Sequence, residues 1–380
     1  MKLSDACASM SSNIAQKDIS DCEGEYPIFG ASGLIGNVDF YKQEEPYIGI
    51  VKDGAGVGRA YLLPGKSSVI GTMQYILPKS NADITYLYYA IQFMHLEKYY
   101  NGATIPHIYF RDYKHEPLIL PELPEQQEKA QVLATIDKLI SLHKMQVEMV
   151  DKLVKSRFVE MFGTPNEMDK WVCCNVENIA DVTVGLVIKP TRFYTEDTEN
   201  GVKAFRSLNV REMRVNDSDW VYFSKEGNDQ NKKSQVQKGD VLVVRSGYPG
   251  TSCVVTDEYA GCNAIDIMIA RPQQDKINPH YLCAFNNFPH GMNQIRHGTG
   301  GAAQKHFNVG AYNKVIIPVP PIELQNRFVE FLQLADKSKI AIQKSIGLLE
   351  LLKASLMQTY FGQKKKSAPQ GADKDWCLAQ

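Results

Sequence analysis

The sequence predicts an α+β protein of two similar halves, each a mixed α and β domain followed by a long helix. Two observations predict it. Residues 118–163 align without a gap to residues 317–362 at an offset of 199, and a long internal period of this kind sets the architecture before any single residue does. Within the repeat, each copy carries a long stretch without proline whose apolar residues keep a 3-4 spacing, the signature of a helix that packs along one face.

The 380-residue length exceeds the size at which single cores usually split, and each half lies in the ordinary domain range. The chain divides into a first domain over 1–120, a helix over 121–163, a second domain over 164–316, a helix over 317–362 and a tail over 363–380. In the first domain, β-rich stretches at 47–51 and 69–77 precede a helical segment at 85–99; in the second, stretches at 240–245 and 265–270 precede a helix at 279–287. The two domains echo one another faintly. Lys52-Asp53-Gly54-Ala55-Gly56 matches Ser246-Gly247-Tyr248-Pro249-Gly250, Tyr86-Leu87 matches Tyr281-Leu282, and the segment 102–107 lies opposite 301–306.

The helices are the clearest elements. Pro124 suits a first helical turn, Glu125 and Glu128 favour the positive end of the helix dipole, and Gly163-Thr164-Pro165 ends the segment. The seam of the first helix reads Leu133, Ile136, Ile140, His143, Val147, Val150, Val154, Arg157 and Met161. Adding 199 gives Leu332, Ala335, Lys339, Ile342, Ile346, Leu349, Lys353, Leu356 and Tyr360. One register held by both copies predicts that the helices pack on each other as a coiled coil. The polar members His143, Arg157, Lys339 and Lys353 read as register or edge features. About 39 residues at 1.5 Å rise make a rod of at most about 58 Å.

Several classes of chemistry find no support. The eight cysteines form no C-x-x-C pair, so reduced thiols in a cytoplasmic protein are expected rather than a zinc site. No apolar run is long enough to span a bilayer, and the N-terminus has no signal-like apolar stretch. Asp53-Gly54-Ala55-Gly56-Val57-Gly58 is superficially like a cofactor-binding glycine loop, but 59–65 reads as a strand and turn instead of the helix such a loop opens. Amino-methyltransferase, nuclease, helicase and Ser/His or Cys/His motifs are all missing. The expectation is a non-catalytic chain with no cofactor and no metal. The net charge of −1 neither supplies nor excludes the basic face of a nucleic-acid binder.

These features together resemble the specificity subunits of Type I restriction-modification systems. The resemblance rests on an ordered duplicate set: a domain opened by Tyr26-Pro27-Ile28-Phe29-Gly30-Ala31 and Gly33-Leu34-Ile35-Gly36, a second opened near Trp171, and for each a proline-rich exit, a long helix and a terminal Phe-Gly. The exits are Leu120-Pro121-Glu122-Leu123-Pro124-Glu125-Gln126 and Ile317-Pro318-Val319-Pro320-Pro321-Ile322-Glu323-Leu324-Gln325. The tryptophan that precedes the second domain has no counterpart before the first. The resemblance implies two target-recognition domains, each reading one half of an asymmetric, split double-stranded DNA target. It also implies that the helices form an antiparallel coiled coil with an internal pseudo-twofold repeat, fix the unread spacer, and dock methyltransferase subunits, two of them, and through these restriction subunits. Two other readings are a stand-alone S-adenosylmethionine-dependent DNA methyltransferase and a coiled-coil protein adaptor.

Arg and Lys read guanine, Asn and Gln read adenine, and Ser, Thr, Lys and backbone amides hold phosphates. Candidate DNA contacts are therefore Lys52, Arg59, Lys66, Thr72, Gln74, Thr104 and His107 in the first domain. In the second they are Arg192, Arg206, Ser207, Asn209, Arg211, Arg245, Ser246, Tyr248, Thr299, Gln304 and Lys305. The run Lys364-Lys365-Lys366 reads as a solvated tail.

Overall fold

The computed structural model describes residues 1–19, 23–102, 106–298 and 307–362. The chain forms two compact units, Met1–Met145 with Gln343–Gln380, and Gln146–Ile342. These units cut across the division read from the sequence. Each takes one globular domain and half of each long helix, because a helix half buries its apolar stripe against the domain beside it as well as against the other helix.

Both units are built on the same four-stranded antiparallel frame. In the first, the order is Cys7–Ser11, Met73–Pro78, Tyr47–Val51, Ala60–Leu63; in the second it is Ala180–Val184, Ile267–Pro272, Val241–Val244, Ser252–Val254. The central strands Tyr47–Val51 and Val241–Val244 are buried along their whole length, as expected for strands covered on both faces. A helix follows each frame, Ile84–Phe93 and Pro279–Asn287, started by Asp83 and Asn278, whose side chains accept from the Tyr86 and His280 N–H groups. The stretch read as one strand over 69–77 is broken at Ile70–Thr72, and the helix read over 85–99 breaks at His95, whose φ of 52° is left-handed. Likewise Asp266, at φ 51°, interrupts 265–270. Hydrophobic pattern alone does not reveal such single-residue breaks.

The units differ in their second sheets. The first has three strands, Gly33–Val38, Tyr26–Gly30 and Ser68–Val69. The second has four, Tyr194–Thr195, Val221–Phe223, Val202–Phe205 and Asn263–Ala264, and adds a short hairpin, Val210–Arg211 with Arg214–Val215.

The long helices span Leu123–Phe162 and Ile322–Phe361. Within the first unit they run antiparallel: Lys353 donates to Asp137 at 2.7 Å and Ser345 lies 3.4 Å from His143. Within the second unit Lys339 donates to Asp151 at 2.9 Å, and the Arg157 guanidinium sits over the Phe331 ring. Of the apolar seam positions, Leu133, Ile136, Ile140, Val154, Leu332 and Ala335 are buried, and Val147, Val150, Ile342, Ile346, Leu349 and Leu356 are half-buried. Burial opposes the charge on Lys339, but the Asp151 and Asp336 carboxylates outweigh it and its pKa is raised. Lys339 and Lys353 therefore form ion pairs between the helices at fixed registers, the best-attested use of polar groups in such seams.

Each helix is tied to its domain by a buried glutamine. Gln126 accepts from the Asp83 N–H at 2.8 Å and donates to the Asn81 and Pro121 carbonyls. Gln325 does the same with the Asn278 N–H at 2.9 Å and the Lys276 and Pro320 carbonyls. At the opposite end, Phe162 packs on Tyr281 and Phe361 on Tyr86. The repeated proline-rich exits and Phe-Gly ends are thus the two joints of each helix.

Candidate nucleic-acid interface

Asp53–Gly58 links two antiparallel strands and opens no helix. Gly58, at φ 88°, could not carry a side chain, since a Cβ there would lie 2.6 Å from the Glu97 backbone nitrogen. The glycines make a tight hairpin, and a phosphate-holding helix N-terminus is not part of it. The turn after Val241–Val244 is its counterpart, with Gly247 and Gly250 at φ 83° and 93°.

Several first-domain candidates gather at this hairpin. The Lys52 N–H donates to the Thr72 carbonyl and its own carbonyl accepts from Ile108, while Asp53 bridges His107. Lys52 Nζ is held by Asp53 at 2.5 Å. Arg59 is exposed, with its guanidinium lying over Gly56. Lys66 stands apart, at the opposite end of the strand Ala60–Leu63, 3.8 Å from Glu44. Gln74 leaves the candidate set: it is buried and donates to the Tyr113 hydroxyl at 2.6 Å, so its amide edge serves the core.

In the second domain, Asn209 also leaves the set. It is fully buried, donates to the Asn216 and Ser218 carbonyls and accepts from the Arg206 N–H, which organises the loop 206–218. Arg206 donates to the Asp219 carbonyl, and Ser207 opens the short turn between them. Arg245 is paired with Asp266 at 2.7 Å, and its side chain is only 13% exposed. It supports the turn that carries Ser246 and Tyr248, and Tyr248 stands 78% exposed at the tip. Arg192 is exposed beside the Phe193 ring. Thr104, Thr299, Gln304 and Lys305, much of the 102–107 and 301–306 echo, and the tail lysines lie outside the described residues.

The clearest cationic feature is the hairpin at 210–215. Arg211 and Arg214 are direct cross-strand partners and both are exposed. Like charges placed opposite one another are unfavourable, and among the described residues neither has a carboxylate partner. The intervening Glu212 is drawn away to Lys155 at 2.8 Å. The hairpin is anchored by the Met213 N–H donating to the Ser252 carbonyl. An uncompensated pair of guanidinium groups on a fixed turn suits an anion such as a phosphate. Arg214 was missed in the sequence, although the Arg211-Glu212-Met213-Arg214 turn spacing could have marked it.

Among the described residues no group of His, Cys, Asp and Glu could hold a metal ion, and no helix is long and apolar enough to cross a membrane. The described cysteines are free thiols; Cys7, Cys253, Cys262 and Cys283 are buried, and burial raises their pKa values, the reverse of an activated nucleophile.

A four-stranded frame used twice, together with two long helices that repeat one register, defines a two-domain protein with an internal repeat. Residues 1–150 and 168–353 match the Type I restriction modification DNA specificity domain, and the chain belongs to that family. It is 25% identical over half its length to the Type I restriction enzyme MjaVIII specificity subunit of Methanocaldococcus jannaschii, and 21% identical over 69% of its length to the EcoBI specificity subunit of Escherichia coli. It spans 49% and 61% of the lengths of these relatives. In fold it is similar to the crystal structure of a Type I system S subunit from M. genitalium, with a TM-score of 0.59 at 15% identity and 96% of each chain covered.

Proposed function

We propose that this chain is the non-catalytic DNA-reading subunit of a cytoplasmic Type I restriction-modification complex. Domains 1–120 and 164–316 each read one half of an asymmetric bipartite duplex target, and the helices within 121–163 and 317–362 set the unread spacer. The observation that carries this reading is the shared frame with divergent second sheets. One antiparallel scaffold presents a three-stranded sheet in one unit and a four-stranded sheet plus the Arg211–Arg214 hairpin in the other. Two different surfaces on one scaffold imply two different half-sites.

Contacts to phosphate and base are assigned to Lys52, Arg59, Thr72 and His107 around the first hairpin, and to Lys66 beyond it. In the second domain they are assigned to Arg192, Arg206, Ser207, Arg211, Arg214, Ser246 and Tyr248. Thr104, Thr299, Gln304 and Lys305 remain assigned from the sequence alone.

Docking of two methyltransferase subunits, and of restriction subunits through them, is supported by a second apolar stripe one position before the seam. In the first helix it comprises Val132, Leu139, Leu142, Met149 and Leu153, and in the second Leu334, Leu348 and Leu352, all exposed. Met149 and Leu348, and Leu153 and Leu352, are equivalent in the repeat, so each helix offers a similar surface.

Methylome sequencing of cells carrying the complete system tests the reading. Replacing residues 164–316 with the corresponding domain of another specificity subunit should change one half of the methylated motif and leave the other half intact. An unchanged motif would refute it.

A further inference from the structure

The four-stranded frame of the second unit sends three loops out of one end. Val244 pairs with Ile267, Val243 with Ser252 and Val184 with Met268, so the turn 245–251, the loop 264–266 and the segment 185–189 emerge together. The Arg211–Arg214 hairpin, anchored on Ser252, lies at this end as well.

The first unit supplies an internal reference for the segment 185–189. After the frame strand Cys7–Ser11, Ile14 accepts from the Gly71 N–H at 2.7 Å; after Ala180–Val184, Leu186 accepts from the Asp266 N–H at 3.2 Å. A short helical turn then follows in both units. It is closed by the Asp18 N–H donating to the Ala15 carbonyl at 3.0 Å in the first, and by Arg192 donating to Lys189 at 3.2 Å in the second. Ala15 follows Ile14 directly, whereas Val187 and Ile188 stand between Leu186 and Lys189, so the second unit carries a two-residue insertion.

Exposed loop tips are ordinarily small or polar. The inserted pair is β-branched and apolar, with Val187 51% and Ile188 72% exposed. The first unit closes the same connection without them, so the frame does not need them to fold. They are held on a fixed base. Leu186 is bonded through its carbonyl and also through its N–H, which donates to Ala264 at 2.8 Å; Lys189, left-handed at φ 48°, leads into Pro190, whose ring locks its own φ. Lys189, Arg192, Arg211 and Arg214 are exposed at this end, and none has a carboxylate partner among the described residues. An apolar point among free cations fits a ligand with an anionic outside and an apolar, stacked inside, which is the chemistry of duplex DNA.

We propose that Val187 and Ile188 form a wedge that enters between two stacked base pairs of the second half-site, while Lys189 and Arg192 hold the flanking phosphates. The inference rests on the DNA-reading function and goes beyond it. Apolar side chains that enter a base step offset the lost stacking by their own burial, and a preorganised tip loses little freedom in doing so. Pyrimidine–purine steps unstack most easily, so the wedge should meet one. The first domain, with Ala15 alone at this place, should leave its half-site stacked.

Permanganate oxidation of thymines in a target duplex bound by the assembled complex tests the wedge. Thymines paired with the methylated adenines are set aside, because a methyltransferase extrudes its target base. The expected result is a hyperreactive thymine at a T–A or T–G step of the second half-site and none in the first. That reactivity should be lost in Ile188→Ser and in a chain lacking Val187 and Ile188, which has the loop length of the first unit. Ile188→Ser should also weaken target binding about tenfold without changing the slope of log K against log salt, since an apolar contact releases no counterions. Lys189→Ala should instead make that slope shallower by about 0.9. The same permanganate pattern and affinity in the unsubstituted and Ile188→Ser complexes, with the target still preferred over a scrambled duplex, would overturn the wedge and leave DNA reading standing. Failure of Ile188→Ser to assemble with methyltransferase subunits would overturn it too, by marking the tip as a protein contact. No preference for the target in the unsubstituted complex would overturn both.

Discussion

Arg211 and Arg214 give the sharpest test of where the second domain meets DNA. They face each other across a short hairpin, exposed and without a carboxylate partner among the described residues. Replacing both by Ala removes a like-charge pair that costs the free protein a few tenths of a kcal/mol, on the scale of ~0.2–1 kcal/mol per cross-strand pair. Folding stability should therefore hold or rise slightly. Binding should weaken. A charge-assisted hydrogen bond contributes about 1.5–3 kcal/mol when well shielded, and discounting for exposure to about 1 kcal/mol each leaves ~2 kcal/mol, roughly a 30-fold loss of affinity. Because two phosphate contacts release about 0.9 counterion each, the slope of log K against log salt should become shallower by about 1.8. The assay is fluorescence anisotropy of the assembled complex on a target duplex and a scrambled duplex from about 50 to 200 mM salt. A parallel loss on both duplexes identifies phosphate contacts, whereas a loss confined to the target identifies base readout. An unchanged affinity and salt slope, with a folded variant, would refute the placement of DNA on this hairpin.

Three further outcomes are expected. Gln325→Ala orphans the Asn278 N–H and the Lys276 and Pro320 carbonyls, so urea unfolding of the second unit should show about 2–4 kcal/mol of destabilisation, and Gln126→Ala should do the same to the first. His290 is buried, donates through Nε2 to the Gly163 carbonyl at 2.8 Å and leaves Nδ1 unpartnered. Burial chiefly lowers its pKa from 6.5, against the Gly163 hydrogen bond, and burial also lowers that of His280. The unfolded chain then binds more protons, and stability should fall as pH drops below about 6.5 and level off below the folded values; His290→Gln should flatten the urea midpoint between pH 7.5 and 5. Finally, four residues inserted into one long helix add about 6 Å, close to two base pairs at ~3.4 Å each. Methylation sequencing should then report an altered spacer with unchanged half-sites, or no recognition; full activity at the original spacer would count against the ruler.

Much of this architecture was legible because it is local or repeated. The seam positions from Leu133 to Leu356 follow from helical periodicity, which needs no knowledge of the partner surface, and the 199-residue offset located both helices at once. The strand within 59–65 was legible because its pattern is local. Breaks at His95 and Asp266 were not legible, since left-handed residues other than glycine leave little compositional trace.

The candidate DNA contacts show where sequence reading stops. Gln74, Asn209 and Arg245 are chemically as suited to DNA as Arg59 or Arg211, yet two are buried in hydrogen-bond networks and one is locked to Asp266. Residue type states what a side chain can bind; its neighbours decide whether that capacity is already used. Those neighbours, such as Tyr113 for Gln74, are distant in the chain. The sequence by itself determined that there are two halves, two long helices and one seam, because periodicity and repetition are properties of the chain. Only the tertiary structure decided that both halves use the same strand order, that Gln126 and Gln325 tie each helix to its domain, and that Arg211 and Arg214 stand together. Pairing between residues far apart in sequence depends on packing in three dimensions, which no local pattern encodes.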